Sequence, residues 1–504
     1  MNQSPIPFER FLKIVAIVDR DDEHTKQLTA TLEAEGFCVE ISADYDRNPQ
    51  LDADTGAYII DCDEPNREAA RKLAYAIRDT GNHTPMWALA ETFRTADMQD
   101  FDILGQVSGF IYLGQQTPDY YASQVITSLQ KYGMGLQPPF FGGMLRYDTQ
   151  ANIAFDCPGH QGGQFYKKSP AGQFFFKHMG ERIFRNDLCN ADVDLGDLLI
   201  HEGAALEAQK HAARVFGADK TYFVLNGTST SNKVVCNAVV KKDDLVLYDR
   251  NNHKSNTQGA LIQGGGIPIF LPTARNAFGM VGAMDWDAFD EDYLREQIRK
   301  NPLVTDPDRY KAERPFRLAV IQLATYDGTV YNAGKVLDKI GHLCDYVLWD
   351  EAWIGYNAFH PLFAGHSPMR LDNLGPEMPG LFSTQSVHKQ LAGFSQASQI
   401  HKRDSHIKGQ KRYIEHKRFN DSFMISASTS PFYPLFASLD VNAKIHAGES
   451  GKVLWDNCIE LTIETRKKFR DVAKHYIDNR TSEERHGFST RSFRMSSRSK
   501  IHRT

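Results

Sequence analysis

Four short apolar runs constrain this chain more than anything else in it: Tyr222-Phe223-Val224-Leu225, Leu245-Val246-Leu247-Tyr248, Leu318-Ala319-Val320-Ile321-Gln322-Leu323 and Tyr346-Val347-Leu348-Trp349. Nearly continuous apolar runs of this length read as strands buried on both faces, as in a parallel sheet covered by helices. Each run stops at a polar segment: Asn226-Gly227-Thr228-Ser229-Thr230-Ser231, Asp249 to Ser255, Thr325-Tyr326-Asp327-Gly328 and Asp350-Glu351-Ala352-Trp353. The C-terminal ends of parallel strands share one edge of a sheet, where α/β proteins present chemistry to a ligand. The spacing therefore predicts that Thr228 to Ser231, His253, Thr325, Asp327 and Asp350 converge on one pocket.

A separate α/β unit precedes these runs. Residues 11–18, 37–41, 57–61, 86–89 and 110–113 read as strands, with helices over 23–36 and 66–80 between them. That alternation implies a parallel, doubly wound sheet similar to a response-regulator receiver, a flavodoxin-like fold. Asp19, Asp21 and Asp22 follow the first strand. They form either a phospho-acceptor pocket or, as the favoured reading, helix caps and solvated turn residues, since Asp caps helices through plain hydrogen bonding. Residues 114–150 read as a helix and then a Pro/Gly-rich connector, Gln137-Pro138-Pro139-Phe140-Phe141-Gly142-Gly143, where a domain boundary is expected. A glycine-rich loop, Cys157-Pro158-Gly159-His160-Gln161-Gly162-Gly163, opens the second part, and residues 203–216 read as a helix.

At 504 residues the chain is long enough for several domains. A net charge of -5 gives no electrostatic reason for a nucleic-acid partner. No apolar run is long enough to span a bilayer, and residues 1–10 lack a signal-peptide pattern. The 7 cysteines are scattered, with no CxxC pair. That argues against a zinc site or disulfide frame, predicts no metal, and fits a reducing cytoplasm.

Two features specify the chemistry. Ser386-Val387-His388-Lys389 looks like a segment whose lysine carries pyridoxal phosphate as an imine. Asp350, at a strand end upstream, is the carboxylate this cofactor needs beside its pyridinium nitrogen. The turn Asn226 to Lys233 offers hydroxyl groups and helix N-terminal amides to a phosphate. It is not a Walker A loop, because Ser231-Asn232 stand where a glycine is required before the lysine. Alone, it would equally read as a plain Ser/Thr cap.

Taken together, Gly227 to Thr230, Asp249 to Ser255, Thr325 to Gly328, Asp350 to Trp353 and Ser386 to Lys389 resemble the bacterial ornithine/lysine/arginine decarboxylases. The resemblance implies a receiver-like wing domain followed by a fold-type-I, aspartate-aminotransferase-like large domain that binds pyridoxal 5'-phosphate. The stretches 390–401, 426–434 and 439–446 are most similar to the ornithine enzymes, implying conversion of L-ornithine to putrescine and CO2. Lysine and arginine are the neighbouring substrate options.

Carried over by the resemblance, Lys389 would hold the cofactor and Asp350 its ring nitrogen. Ala352 would pack on one ring face, with Trp353 adjoining, and His253 would stack on the other. Thr228, Ser229, Thr230 and Ser386 would line the phosphate side, and Thr325 would also contact the cofactor. His388 would move a proton, and Glu351 would help meet the substrate's distal ammonium. The family's assembly implies a homodimer or larger homo-oligomer, with Ser428 or Thr429 reaching the phosphate of a neighbouring copy.

The implied domains are 1–130 (wing), 131–205 (linker region), 206–440 (cofactor-binding) and 441–478 (the start of a C-terminal region), with 479–504 a tail. That Arg/Ser-rich tail has almost no apolar residues and is expected to be disordered. The family's sizeable C-terminal domain is expected to be missing, so a catalytically inactive remnant acting only in assembly is the alternative reading. The basic run from His401 to Arg418 reads as a solvated loop or subunit contact. Gly264-Gly265-Gly266 reads as a helix stop.

Overall fold

A computed structural model describes residues 11–91, 105–150, 152, 156–190 and 194–479. The expected tail beyond 479 lies outside the described residues. The described residues form two compact units: one runs to His211 and includes Ala443–Val453, and the other comprises Ala212–Asn442 with residues 454–479.

In the first unit, β1 (Lys13–Ile17), β2 (Val39–Ser42), β3 (Thr55–Asp61), β4 (Met86–Ala90) and β5 (Gly109–Tyr112) make a parallel sheet of order β2-β1-β3-β4-β5. Alternation along β1 explains its two covered faces. Ile14 and Ala16 pack with Leu28, Leu32 and Val125, while Val15 and Ile17 pack with Leu73, Ala74 and Ile77. The receiver-like reading of the strands holds to within a few residues.

The acidic cluster resolves into separate roles. Asp22 caps the helix Glu23–Ala34, accepting from the Thr25 amide at 2.8 Å. Asp21 pairs with Lys26 at 2.6 Å. Arg20 donates to Asp61 from Nε at 2.7 Å and from Nη2 at 2.5 Å, and to Asp63 at 2.7 Å. Asp61 and Asp63 are therefore already paired by an internal guanidinium.

One expectation fails locally. The Pro/Gly-rich connector is mostly helix, because Pro138 is extended and Pro139 begins a helix, Pro139–Thr149. A proline at the first helical position loses only an amide that has no intrahelical partner.

The second unit is built on a seven-stranded sheet. Its strands are β6 (Lys220–Val224), β7 (Leu245–Asp249), β8 (Ile267–Leu271), β11 (Phe316–Gln322), β12 (Cys344–Asp350), β13 (Gly380–Ser386) and β14 (Ser398–Arg403), in the order β6-β14-β13-β12-β11-β7-β8. A small antiparallel pair, β9 (Thr273–Arg275) and β10 (Val281–Met284), lies outside it. All seven strands run parallel except β14, which is antiparallel to both β13 and β6.

The four apolar runs are β6, β7, β11 and β12. Trp349, Val347, Ile321 and Leu247 join one large buried cluster with Phe289, Leu294 and Val336. Fully burying such side chains contributes about 1.5–3 kcal/mol each.

The basic run is not a solvated loop at its start. His401 and Lys402 lie in β14 and are buried. Lys402 Nζ pairs with Asp404 at 2.7 Å and donates to the Ile414 carbonyl at 2.7 Å.

Candidate active site

The parallel strands of the second unit end on one sheet edge, and the segments that follow them carry most of the expected residues. Asp350 closes β12 and is buried. Its Oδ2 accepts from Asn232 Nδ2 at 2.9 Å and from Asn256 Nδ2 at 3.2 Å, and its Oδ1 accepts from the Ala352 amide at 3.1 Å.

The Asn232 amide has a fixed sense. Thr384 Oγ1 donates to its Oδ1 at 2.6 Å, which leaves the NH2 group to face the carboxylate. That NH2 group also donates to Ser255 Oγ at 3.1 Å, and Ser255 Oγ lies 2.8 Å from His253 Nδ1. The Ser255 amide donates to the same Nδ1 at 3.3 Å, so the network assigns Nδ1 as acceptor and Nε2 as the protonated nitrogen. Burial lowers the His253 pKa. Asp350 opposes that shift and Lys389 adds to it.

His388 and Lys389 sit on a short helix, Val387–Gln390, directly after β13. Lys389 is exposed at the edge, with its Nζ 4.0 Å from the centre of the half-buried Trp353 ring. Partial desolvation holds its pKa below the usual lysine value, and Asp350 partly offsets this. His388 is tethered, with Nδ1 at 2.9 Å from the Ala397 carbonyl.

The helix Thr228–Val239 begins at the same edge. Gly227 stands before it at φ +77 without a side-chain cap, and a Cβ there would meet nothing within 4 Å. The amides of Thr228 and Ser229 head this helix, where backbone N–H groups lack intrahelical acceptors. Thr228 Oγ1 and Ser386 Oγ are 2.7 Å apart and buried. Ser229 is exposed, and Thr230 donates its hydroxyl to the Asn226 carbonyl at 3.0 Å. An uncapped helix N-terminus flanked by hydroxyls suits a phosphate. An amine beside the Trp353 ring, near enough to Asp350 and His253 to interact with their charges, suits a pyridine aldehyde. On these observations the residues present fit pyridoxal phosphate.

The other expected residues each have local partners. Thr325 is buried in its own turn, and its hydroxyl accepts from the Thr329 amide at 3.1 Å. Asp327 accepts from the Val281 amide at 2.7 Å. Ser428 and Thr429 are exposed, in a loop tied to the Asn226 side chain through the Ser426 carbonyl.

Glu351 departs from its expected place. Its neighbour Asp350 bonds Asn232, but Glu351 turns to the opposite face of the sheet, as alternation along an extended chain requires. There it is buried and accepts from Gln385 Nε2 at 2.6 Å. Burial pushes its pKa up to about 7.

Sequence reading missed Asn256 and Thr384, and treated Asn232 only as a departure from a nucleotide loop. The available signal was the spacing of Asn232, four residues after Thr228, which puts both on one face of the helix.

Residues 21–132 match the N-terminal domain, and residues 138–503 the major domain, of the Orn/Lys/Arg decarboxylases. The ornithine decarboxylase of Haemophilus influenzae is 61% identical over 347 residues, covering 69% of this chain and 48% of that protein. The inducible ornithine decarboxylase of Escherichia coli is 57% identical over 374 residues, covering 74% of this chain and 50% of that protein. The chain thus spans about half the length of the curated relatives it matches. The solved structure of lysine decarboxylase A from Pseudomonas aeruginosa is similar with a TM-score of 0.83 at 33% identity, covering 92% of this chain and 63% of that one. In fold, in the ordering of its strand-end residues and in sequence, this chain belongs to the Orn/Lys/Arg decarboxylase family.

Proposed function

We propose that this chain is a pyridoxal-phosphate-dependent decarboxylase that converts L-ornithine to putrescine and CO2. The observation that carries this reading is the buried Asp350, oriented by two asparagine amides with Lys389 and His253 close enough to feel its charge. Bound there, the cofactor would supply an electron sink for the pair left when CO2 departs.

The protein's own part is orientation and proton placement. Asp350, fixed by Asn232 and Asn256, would hold a proton on the ring nitrogen, since a close carboxylate favours the charged form. Lys389, with its lowered pKa, offers more of the neutral amine that can attack a carbonyl. The lowered pKa of His253 favours a flat, neutral ring for stacking. Ala352 and Trp353 would fix the opposite face, and Thr228, Ser229, Thr230 and Ser386 the phosphate. His388, anchored through Nδ1, would present its other nitrogen as a proton carrier.

Ornithine is favoured over lysine because the ornithine decarboxylases above are 57% and 61% identical, against 38% for the lysine decarboxylase LdcA of Pseudomonas aeruginosa. We place the enzyme in the cytoplasm as a homo-oligomer in which Ser428 or Thr429 serves a neighbouring copy. Recovery of activity on mixing two separately inactivated chains would support a shared site.

The direct test is the visible spectrum of the purified chain with pyridoxal phosphate, before and after adding ornithine, lysine or arginine. A protonated-imine band that responds to ornithine and vanishes in Lys389→Ala is the expected result, with putrescine formed. No band, or one unchanged in Lys389→Ala, would overturn the reading.

A further inference from the structure

The glycine-rich loop that opens with Cys157 has no place in the proposed chemistry, yet it brings two thiols together. Cys157 Sγ and Cys189 Sγ are 3.3 Å apart, although 32 residues separate them in sequence. The surrounding contacts hold the two segments side by side. His160 Nε2 lies 3.1 Å from Asp187 Oδ2, and His160 Nδ1 accepts from the Gly163 amide at 3.2 Å. The His160 ring packs against Tyr166 and Phe184, with centroids 5.9 and 5.8 Å away. Arg185 pairs with Asp148 at 2.9 Å, anchoring the second segment just before Asp187.

The other cysteines lack this arrangement. Cys62, Cys236 and Cys344 are buried, and burial raises their thiol pKa values, which makes them inert. Cys38 and Cys458 are exposed and provide internal controls for non-specific oxidation.

We propose that Cys157 and Cys189 form a reversible disulfide that pins the Cys157–Gly163 loop to the segment around Asp187. A disulfide needs the sulfurs at about 2.05 Å, so a shift of about 1.3 Å between two surface segments closes it.

The oxidant is a hydroperoxide. The thiolate of Cys157, the exposed member, attacks the terminal peroxide oxygen. The O–O bond breaks, an alcohol or water leaves, and a sulfenic acid remains on Cys157. The half-buried Cys189 then attacks that sulfur as its thiolate. The S–S bond forms and the hydroxyl leaves as water, taking up the proton released by Cys189. Two thiols and one hydroperoxide thus give one disulfide, one alcohol (or water) and one water. Two equivalents of a small thiol reverse the change by exchange.

The full chain treated with equimolar hydrogen peroxide, then denatured and alkylated, gives the test by peptide mapping without reduction. Of the 7 thiols, two should escape alkylation together, with the Cys157 and Cys189 peptides cross-linked and both thiols restored by dithiothreitol. In Cys189→Ser the cross-link should vanish and the sulfenic acid on Cys157 should become trappable by dimedone. Cross-linking of Cys157 to a different cysteine or to a second chain would overturn the proposal. So would oxidation of Cys157 to the sulfinic acid while Cys189 stays fully alkylatable. The map of the unmutated chain decides between these outcomes even if a variant fails to fold.

Discussion

Both sheets end their third-in-order or central strand in an aspartate, and the molecule treats the two differently. Asp61, at the end of β3, is clasped by the guanidinium of Arg20. Asp350, at the end of β12, receives only neutral amide donors, and among the described residues no cation pairs with it at salt-bridge distance. A carboxylate already paired with an arginine is spent on structure. One held by amides is oriented yet still able to attract a cation from outside. The same fold position therefore closes an ion pair in one unit and leaves an oriented carboxylate held only by neutral donors in the other. Glu351 shows a third treatment: one residue from Asp350, on the other face of the sheet, its raised pKa favours the neutral acid.

The sharpest way to break the comparison is to exchange the two losses. Asp350→Ala should lower turnover by roughly 10³-fold, about 4 kcal/mol of transition-state stabilisation. Asp61→Ala should leave turnover within about twofold. Steady-state kinetics on both variants checks this, and equal losses would void the distinction.

Next in size, Arg20→Leu strands Asp61 and Asp63 without their cation. It should cost the first unit about 3 kcal/mol, as breaking a largely buried pair does. A lowered urea midpoint, with the imine band of the second unit unchanged, is the expected signature.

Glu351 should show in the pH dependence of stability. Its folded pKa is raised from 4.5 to about 7, so the folded state holds the proton more tightly. The stability this contributes is complete below about pH 4.5 and is lost as pH rises through about 7. His401, on the same network through Gln385, has its pKa lowered to about 3 by burial and slopes the other way below its ordinary value of 6.5. The difference between the wild-type chain and Glu351→Gln isolates the carboxyl. It should change by on the order of 2 kcal/mol between pH 4.5 and 7.5 in urea unfolding.

The smallest effect belongs to Asn256→Ala. It removes one of the two amides on Asp350 Oδ2 and should cost about 1 kcal/mol, near fivefold in turnover. Thr384→Val should match it, by freeing the Asn232 amide to turn.

The legible parts of the sequence were those whose signal is local. The strands β6, β7, β11 and β12 are apolar along their length, and the first unit alternates strands with helices, so pattern alone located them. Gly227, Asp350 and Lys389 stand at strand-to-helix turns, where residue type and position carry meaning together. β14 was illegible for the opposite reason. Ser398-Gln399-Ile400-His401-Lys402-Arg403 looks like solvent-facing sequence, yet five of its six residues are buried. Its polar groups find partners far along the chain: Thr221 for His401, Gln385 for Gln399, and Asp404 with the Ile414 carbonyl for Lys402.

The sequence by itself determined the doubly wound first unit, the buried parallel strands and the placement of an aspartate and a lysine at their ends, because hydrophobic period and turn chemistry are written residue by residue. Only the tertiary structure decided which polar groups are spent and which are left for a ligand. Asn232, Asn256 and Thr384 meet around Asp350, and Glu351 is carried to the other face, because a hydrogen bond depends on where two distant segments come together. No window of sequence contains both partners.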